Sequence, residues 1–190
     1  MRILPVALAI ATVVSKAGAQ GRTIDAGRSS LTIHVGKAGL FSSAGHEHWV
    51  EAAISSGVVD AAGATPSVRF IVQSARLEVR PDNALSTTDQ AQVQSNMQTK
   101  VLESARYPEI VFQSTHVERG TGDAWKVDGN LTLHGVTKPL IVDVRRENDA
   151  YVGAVRIKQT EFGIHPIRVG GGLVAVKNEL DIRFQVYCLQ

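Results

Sequence analysis

Two histidines stand two residues apart in the segment Gly45-His46-Glu47-His48-Trp49. On an extended chain both imidazoles share parity with Val50, Ala52 and Ile54, so they face the same side as an apolar row. Such a pair could bind a metal or anchor the polar head of a ligand. The reading that the sequence favours is two side chains at a barrel mouth bonded to water and nearby carbonyls. A catalytic zinc ordinarily takes three protein ligands, and the best distant third partner is His165 in Gly163-Ile164-His165-Pro166. His46, His48 and His165 are therefore the set that a metal-binding or metal-dependent alternative would use. No nucleophile elbow, phosphate loop or H-E-x-x-H helix occurs, so no catalytic residue and no cofactor is assigned, and the chain is read as a non-enzyme.

The elements that must carry these residues are mostly strands. Leu31, Ile33 and Val35 alternate with polar neighbours, as do Val68, Phe70 and Val72. Trp125, Val127, Leu131 and Leu133 follow the same period, then Leu140, Val142 and Val144, and finally Val174, Val176, Leu180, Ile182, Phe184 and Val186. Strands of this kind joined by turns imply an all-β antiparallel barrel or sandwich, and closure into a barrel would remove the exposed edges. One stretch reads as a helix, from Thr88 to about Val101, where Val93, Met97 and Val101 recur every four residues and Thr87 with Gln90 has capping-box spacing. Its stripe could pack on the core or form the lid of a cavity. By parity, His34 and His134 lie opposite the apolar rows; His134 is expected to bond backbone in a turn, and the direction of His116 is left open.

The amino terminus has Arg2, the apolar run Ile3 to Val14 and the small residues Ala17-Gly18-Ala19, which predicts a signal peptide over 1–19 and a single domain over 20–190. That run is short of the ~20 residues needed to span a bilayer, so no transmembrane segment is expected after processing. The expected location is periplasmic or secreted. The chain has 20 basic and 18 acidic residues; loss of Arg2 and Lys16 with the signal takes the formal charge from +2 to 0. The charges are scattered singly, which argues against a nucleic-acid partner. The single cysteine, Cys188, cannot form an internal disulfide.

Three segments resemble one family. Arg106-Tyr107-Pro108-Glu109-Ile110-Val111-Phe112 is similar to its "x-Y-P-x-I-x-F" segment. Asn130-Leu131-Thr132-Leu133-His134-Gly135-Val136-Thr137-Lys138-Pro139 resembles its "G-x-L-T-L-H-G-V-T-K-P" signature, and Glu161-Phe162-Gly163-Ile164 its "x-x-F-G-I" turn. The family is that of YceI-like polyisoprenoid-binding proteins. The resemblance implies an extended, eight-stranded antiparallel lipocalin-like barrel with one short helix near one end, frequent homodimers, and a tunnel for a non-covalently bound isoprenoid or quinone-like lipid. The segment Gly45 to Trp49 departs from the family's usual glycine, bulky or charged residue, and phenylalanine.

A small eight-stranded barrel either fills its interior with side chains or encloses one ligand. With 10 aromatic residues in 190 and many inward positions taken by Val, Ala, Ile or Gly, the interior is short of bulk, which favours a cavity. Shared parity assigns Ile33, Val50, Ile54, Phe70, Phe112, Leu133, Val142 and Phe184, with Met97 from the helix, to its lining, and His46 and His48 to the polar end of the ligand.

Overall fold

The computed structural model describes residues 21–39, 47–169 and 174–190. The expected signal segment and His46 with its neighbour Gly45 lie outside these residues. Among the described residues there are twelve strand segments: β1 (Arg22–Thr23), β2 (Ser30–Ala38), β3 (His48–Ala52), β4 (Ile54–Asp60), β5 (Ser67–Gln73), β6 (Glu78–Val79), β7 (Glu109–Arg119), β8 (Ala124–Leu133), β9 (Val136–Glu147), β10 (Ala150–Lys158), β11 (Arg168–Val169) and β12 (Val174–Tyr187). All pairings are antiparallel. β5, β7, β8, β9, β10 and β12 follow one another across the sheet, and β12 pairs with β2, β2 with β3, and β4 with β5. Because β3 runs into β4 through Ala53 alone, the sheet returns on itself and forms a curled, lipocalin-like barrel.

The expected eight strands are therefore present as positions around the barrel, but three of them are interrupted. A turn separates β1 from β2, where the Asp25 carboxylate accepts hydrogen bonds from the backbone N–H groups of Gly27 (3.0 Å) and Arg28 (3.2 Å). Ala53 separates β3 from β4, and a 3-10 turn at Ser74–Arg76 separates β5 from β6. In that turn Ser74 donates its N–H to Pro108 O and its hydroxyl to Tyr107 O. β11 is a short addition to β12.

The apolar rows face inward as their period requires, with resets at three irregularities. A shift between Ile54 and Ser56 moves the inward parity of β4 to Val59. Another, between Ser114 and His116, hands the inward row of β7 from Phe112 to Val117 and leaves His116 exposed. In β12 the shift lies between Val176 and Leu180, where the Asn178 side chain accepts from Thr160 N and donates to Thr160 Oγ1, both at 3.0 Å. β10 pairs with β9 only over Ala150–Gly153; beyond that, Ala154–Lys158 is paired on its β12 side alone. The 3-10 turn Gln159–Phe162, with Phe162 2% exposed, packs against both strands where they part.

Two wall phenylalanines lie over glycines of adjacent strands. A β-carbon built on Gly129 would meet the Phe112 ring at 2.5 Å, and one on Gly153 would meet the Phe184 ring at 2.4 Å. Each ring thus occupies the place of the missing side chain and lies along the wall.

Helix α1 (Thr87–Asn96) continues into a π-helical turn at Met97–Val101. Its N-cap is Ser86, whose hydroxyl accepts from Asp89 N, so the cap sits one residue before the expected Thr87–Gln90 box. The Gln90 side chain instead donates to the carbonyls of Asp82 and Leu85. Val93, Met97 and Val101 face the barrel interior. Two glutamines fasten the helix to the strand below: Gln94 exchanges hydrogen bonds with Leu77 O (2.9 Å) and Val79 N (2.8 Å), and Gln98 donates to Ala75 O and Leu77 O.

Gly153→Ala should destabilise the protein by about 1–3 kcal/mol through overpacking, read as a lower midpoint in denaturant unfolding. Gly120→Ala, whose β-carbon would meet nothing closer than 3.5 Å, should change stability by no more than about 0.5 kcal/mol. Equal stability of the two variants would rule out the ring-over-glycine packing.

Candidate functional site: an apolar cavity inside the barrel

The inward rows line a cavity of about 290 Å³, close to the lower end of the range for small-molecule pockets, ~300 Å³. The structure places Ile33, His48, Val50, Ile54, Phe70, Met97, Phe112, Leu133, Val142 and Phe184 on its wall. The rings of Phe70 and Phe112 stack at 5.5 Å between centroids. Many of the wall residues are aliphatic, and the strand backbone around them is satisfied by the sheet ladders. A molecule inside would therefore meet mainly hydrocarbon and gain from burial rather than from directional bonds.

Polar groups on the wall are few and lie towards its two ends. At the helix end are His48, beside Val35 of β2, and Gln159, whose side chain is already bonded to Lys177 O at 2.8 Å. At the far end are Asp60, Ser67, Trp125 and Tyr151. The Trp125 and Tyr151 rings meet edge to face at 5.4 Å, and the Trp125 indole N–H is buried with no hydrogen-bond partner. Burial pushes the Tyr151 hydroxyl above its usual value, the nearby Cys188 thiol adds to this, and Arg146, Arg22 and Arg119 pull in the opposite direction. Burial likewise raises the Cys188 thiol.

The other histidines lie elsewhere. His34 is on the outer face, 3.1 Å from Glu47 and 3.9 Å from Asp181, with its ring against Trp49 at 4.6 Å. His134 occupies the β8–β9 turn with φ 52°, followed by Gly135 at φ 73°. It packs on Tyr107 at 4.3 Å and lies 3.4 Å from the Glu103 carboxylate, a side-chain partner where a backbone one was expected. His165 is exposed and does not join His48 on the wall. Among the described residues no three His, Cys, Asp or Glu side chains come together as a metal site.

Sequence reasoning did not assign Trp125, Tyr151, Val155, Ile157 or Ile164 to the lining, and all five are on it. Trp125 was within reach, since it shares parity with Val127. The alternation Tyr151, Gly153, Val155, Ile157 marks β10 in the same way.

A family model described as a YceI-like domain matches residues 23–188. A UPF0312 protein of Pseudomonas savastanoi pv. phaseolicola is 28% identical over 124 residues, covering 60% of this chain and 62% of the relative. The match thus spans less than two thirds of that relative's length. One from Yersinia pestis is 42% identical over 55 residues, covering 27% of this chain and 28% of its own. Two solved structures share the fold. BcnA of Burkholderia cenocepacia has a TM-score of 0.57 at 18% identity, with 87% of this chain and 99% of that one covered. A polyisoprenoid binding domain from Saccharophagus degradans has a TM-score of 0.60 at 13% identity, with 90% and 99% covered.

The raised Tyr151 hydroxyl has a consequence for stability in alkali. The unfolded chain loses this proton near pH ~10, the folded one at higher pH, so its contribution is fully present below ~10 and is lost as pH rises through the folded value. In a spectrophotometric titration, Tyr151→Phe should remove a late, high-pH component of phenolate absorbance. A variant that keeps that component would show that the hydroxyl titrates as an ordinary phenol.

Proposed function

Because the chain belongs to the YceI-like family, and because its barrel encloses a cavity walled mainly by hydrocarbon, we propose that it is a binding protein for a long apolar molecule of the polyisoprenoid or quinone-tail class. The single observation that carries this reading is the wall itself. An isoprenoid chain offers no directional polar groups, so its affinity comes from burying CH and CH₂ groups at ~0.8 kcal/mol each, less the cost of ordering the chain. Ile33, Val50, Ile54, Phe70, Phe112, Leu133, Val142, Phe184 and Met97 supply that burial, and His48 is the polar contact at the helix end. The likeness to a polyisoprenoid binding domain supports the same class of ligand. The reading includes no catalysis. The leader-like residues 1–19 support export to the periplasm or beyond, and a homodimer is the assembly to test for.

The decisive experiment is mass spectrometry of an organic extract of the purified protein, with an isoprenoid or comparable lipid expected in stoichiometric amount. Phe112→Asp, which sets a carboxylate into the wall, should retain at most about a tenth of that lipid while keeping a β-rich spectrum. A folded variant carrying as much lipid as the parent would exclude Phe112 from the binding surface, and a lipid-free parent that takes up no prenyl compound would overturn the function.

A further inference from the structure

One seam of the barrel wall is left unzipped. β8 pairs with β9 over all ten of its residues, and β10 pairs with β12 over all nine of its own. Between them, β9 and β10 share only the four pairs from Ala150 and Glu147 to Gly153 and Val144. Residues 136–143 of β9 and 154–158 of β10 then run on with no ladder joining them. Pro139 stands in that stretch of β9, opposite Asn130 of β8. Proline has no N–H to give a ladder and is confined to sheet edges, so its nitrogen takes the unpaired side. The break is thus written into the sequence.

The seam is apolar on both faces. Inside, Leu140 and Val142 of β9 and Val155 and Ile157 of β10 line the cavity. Outside, the β9 lip carries Pro139 and Ile141, the latter 60% exposed, and the β10 lip begins with exposed Ala154. The charged neighbours have opposite charges on the strands away from the seam: Arg156 donates to Asp181 of β12 at 2.6 Å, Lys158 lies opposite Glu179 of β12, and Asp143 opposite Lys126 of β8. The two ends are less suited to an apolar chain. At one, Val93, Met97 and Val101 lie under a helix fastened by Gln94 and Gln98, and the other is lined by Asp60 and Ser67.

The turn Gln159–Phe162, which wedges the strands apart, is tied to one side. The Gln159 side chain donates to Lys177 O at 2.8 Å and Thr160 N donates to the Asn178 side chain at 3.0 Å, both in β12. On the β9 side its capping Gly163 lies beside Val136. Movement of β9 away from the turn therefore costs packing and leaves these hydrogen bonds intact.

We propose that the seam between β9 and β10 is a lateral portal, through which an apolar chain passes sideways between the strands into the cavity. This rests on the reading of the cavity as a lipid site and adds the route by which the lipid enters and leaves. A chain laid along the seam moves from the outer lip at Ile141 to the inner row at Leu140 and Val142 without meeting a charge, and no ladder has to be broken and remade for it to pass. Opening of the seam then sets the rate of exchange, as lid opening does in many closed sites.

The test uses the full chain with Trp49→Phe, which leaves Trp125 of the cavity wall as the only tryptophan, and Cys188→Ala, which removes the native thiol. Uptake and release of geranylgeraniol are followed by stopped-flow fluorescence. Ile141→Cys and Arg156→Cys, opposite one another by continuation of the register, are bridged with a short bis-maleimide. The control bridges Thr32→Cys and Arg183→Cys across the zipped β2 and β12 pair. Bridging the seam should slow uptake and release by roughly tenfold or more each, with the dissociation constant kept within about twofold. The control bridge, and the seam cysteines left unbridged, should exchange at the parent's rates. If the cysteine pair does not fold, Ile141→Glu, which sets a carboxylate on the exposed lip, should slow both rates several-fold at an unchanged dissociation constant. Exchange at the parent's rates in the seam variant overturns the portal and sends the chain through an end, and equal slowing by the control bridge overturns it too. A parent that takes up no geranylgeraniol instead refutes the lipid-binding function itself.

Discussion

The openness of this barrel depends on where its phenylalanine rings go. A ring that pointed across the lumen from the middle of a strand would help to fill it, as side chains do in many small barrels. Here the Phe112 and Phe184 rings lie along the wall over Gly129 and Gly153, in the volume that a side chain on the neighbouring strand would otherwise take. Large apolar surface is thus presented to the interior while the centre is left open. At Gly57 the same vacancy is taken by the Ile24 side chain, whose terminal carbon would be 2.5 Å from an added β-carbon. The cavity and the stability of the wall therefore come from one arrangement.

The two ends of the barrel are built differently. Around the helix end converge the segments that carry the family resemblance: Tyr107 packs at a tilt on His134, Gly135 brings its backbone against the Tyr107 ring, and Gly163 lies beside Val136 and His134. His134 and Gly135 make the turn between β8 and β9 with positive φ at both positions, the conformation that lets two strands join through a tight loop. These residues hold strand ends, a helix exit and the Phe162 turn together; none of them needs to touch a ligand to be required. The far end has no such cross-bracing by signature residues. It consists of short hairpins, the bridge between Ile24 and Cys188, and arginines bonded to main-chain carbonyls.

Much of the barrel was legible in the sequence because period-two alternation survives wherever a strand is half buried. Leu31, Ile33 and Val35 could be assigned to the interior without knowing what they pair with, and so could Val68, Phe70 and Val72. What alternation does not encode is a local change of register. Nothing in the types of Ser55 or Thr115 announces an irregularity, so His116 shares parity with Phe112 on paper and faces solvent in the fold. The helix cap was displaced by one residue because Ser86 and Thr87 offer the same chemistry, and only backbone geometry chooses between them. The cross-strand pairing of Gly153 with Phe184 joins residues 31 apart in sequence, beyond any local pattern. Arg22, Arg119 and Arg146 likewise look like scattered surface charges until the register sets them opposite Val59, Trp125 and Tyr151.

The ring-over-glycine contacts also bear on how such a barrel can diverge. Enlarging the glycine while the ring remains forces a collision, and shrinking the ring while the glycine remains opens a void; both are unfavourable, and they are relieved only by each other. Each pair is therefore inherited as a unit rather than as two independent sites. Related barrels should hold both partners or neither, and an interior that becomes wider or narrower in descent has to change at two positions on neighbouring strands together.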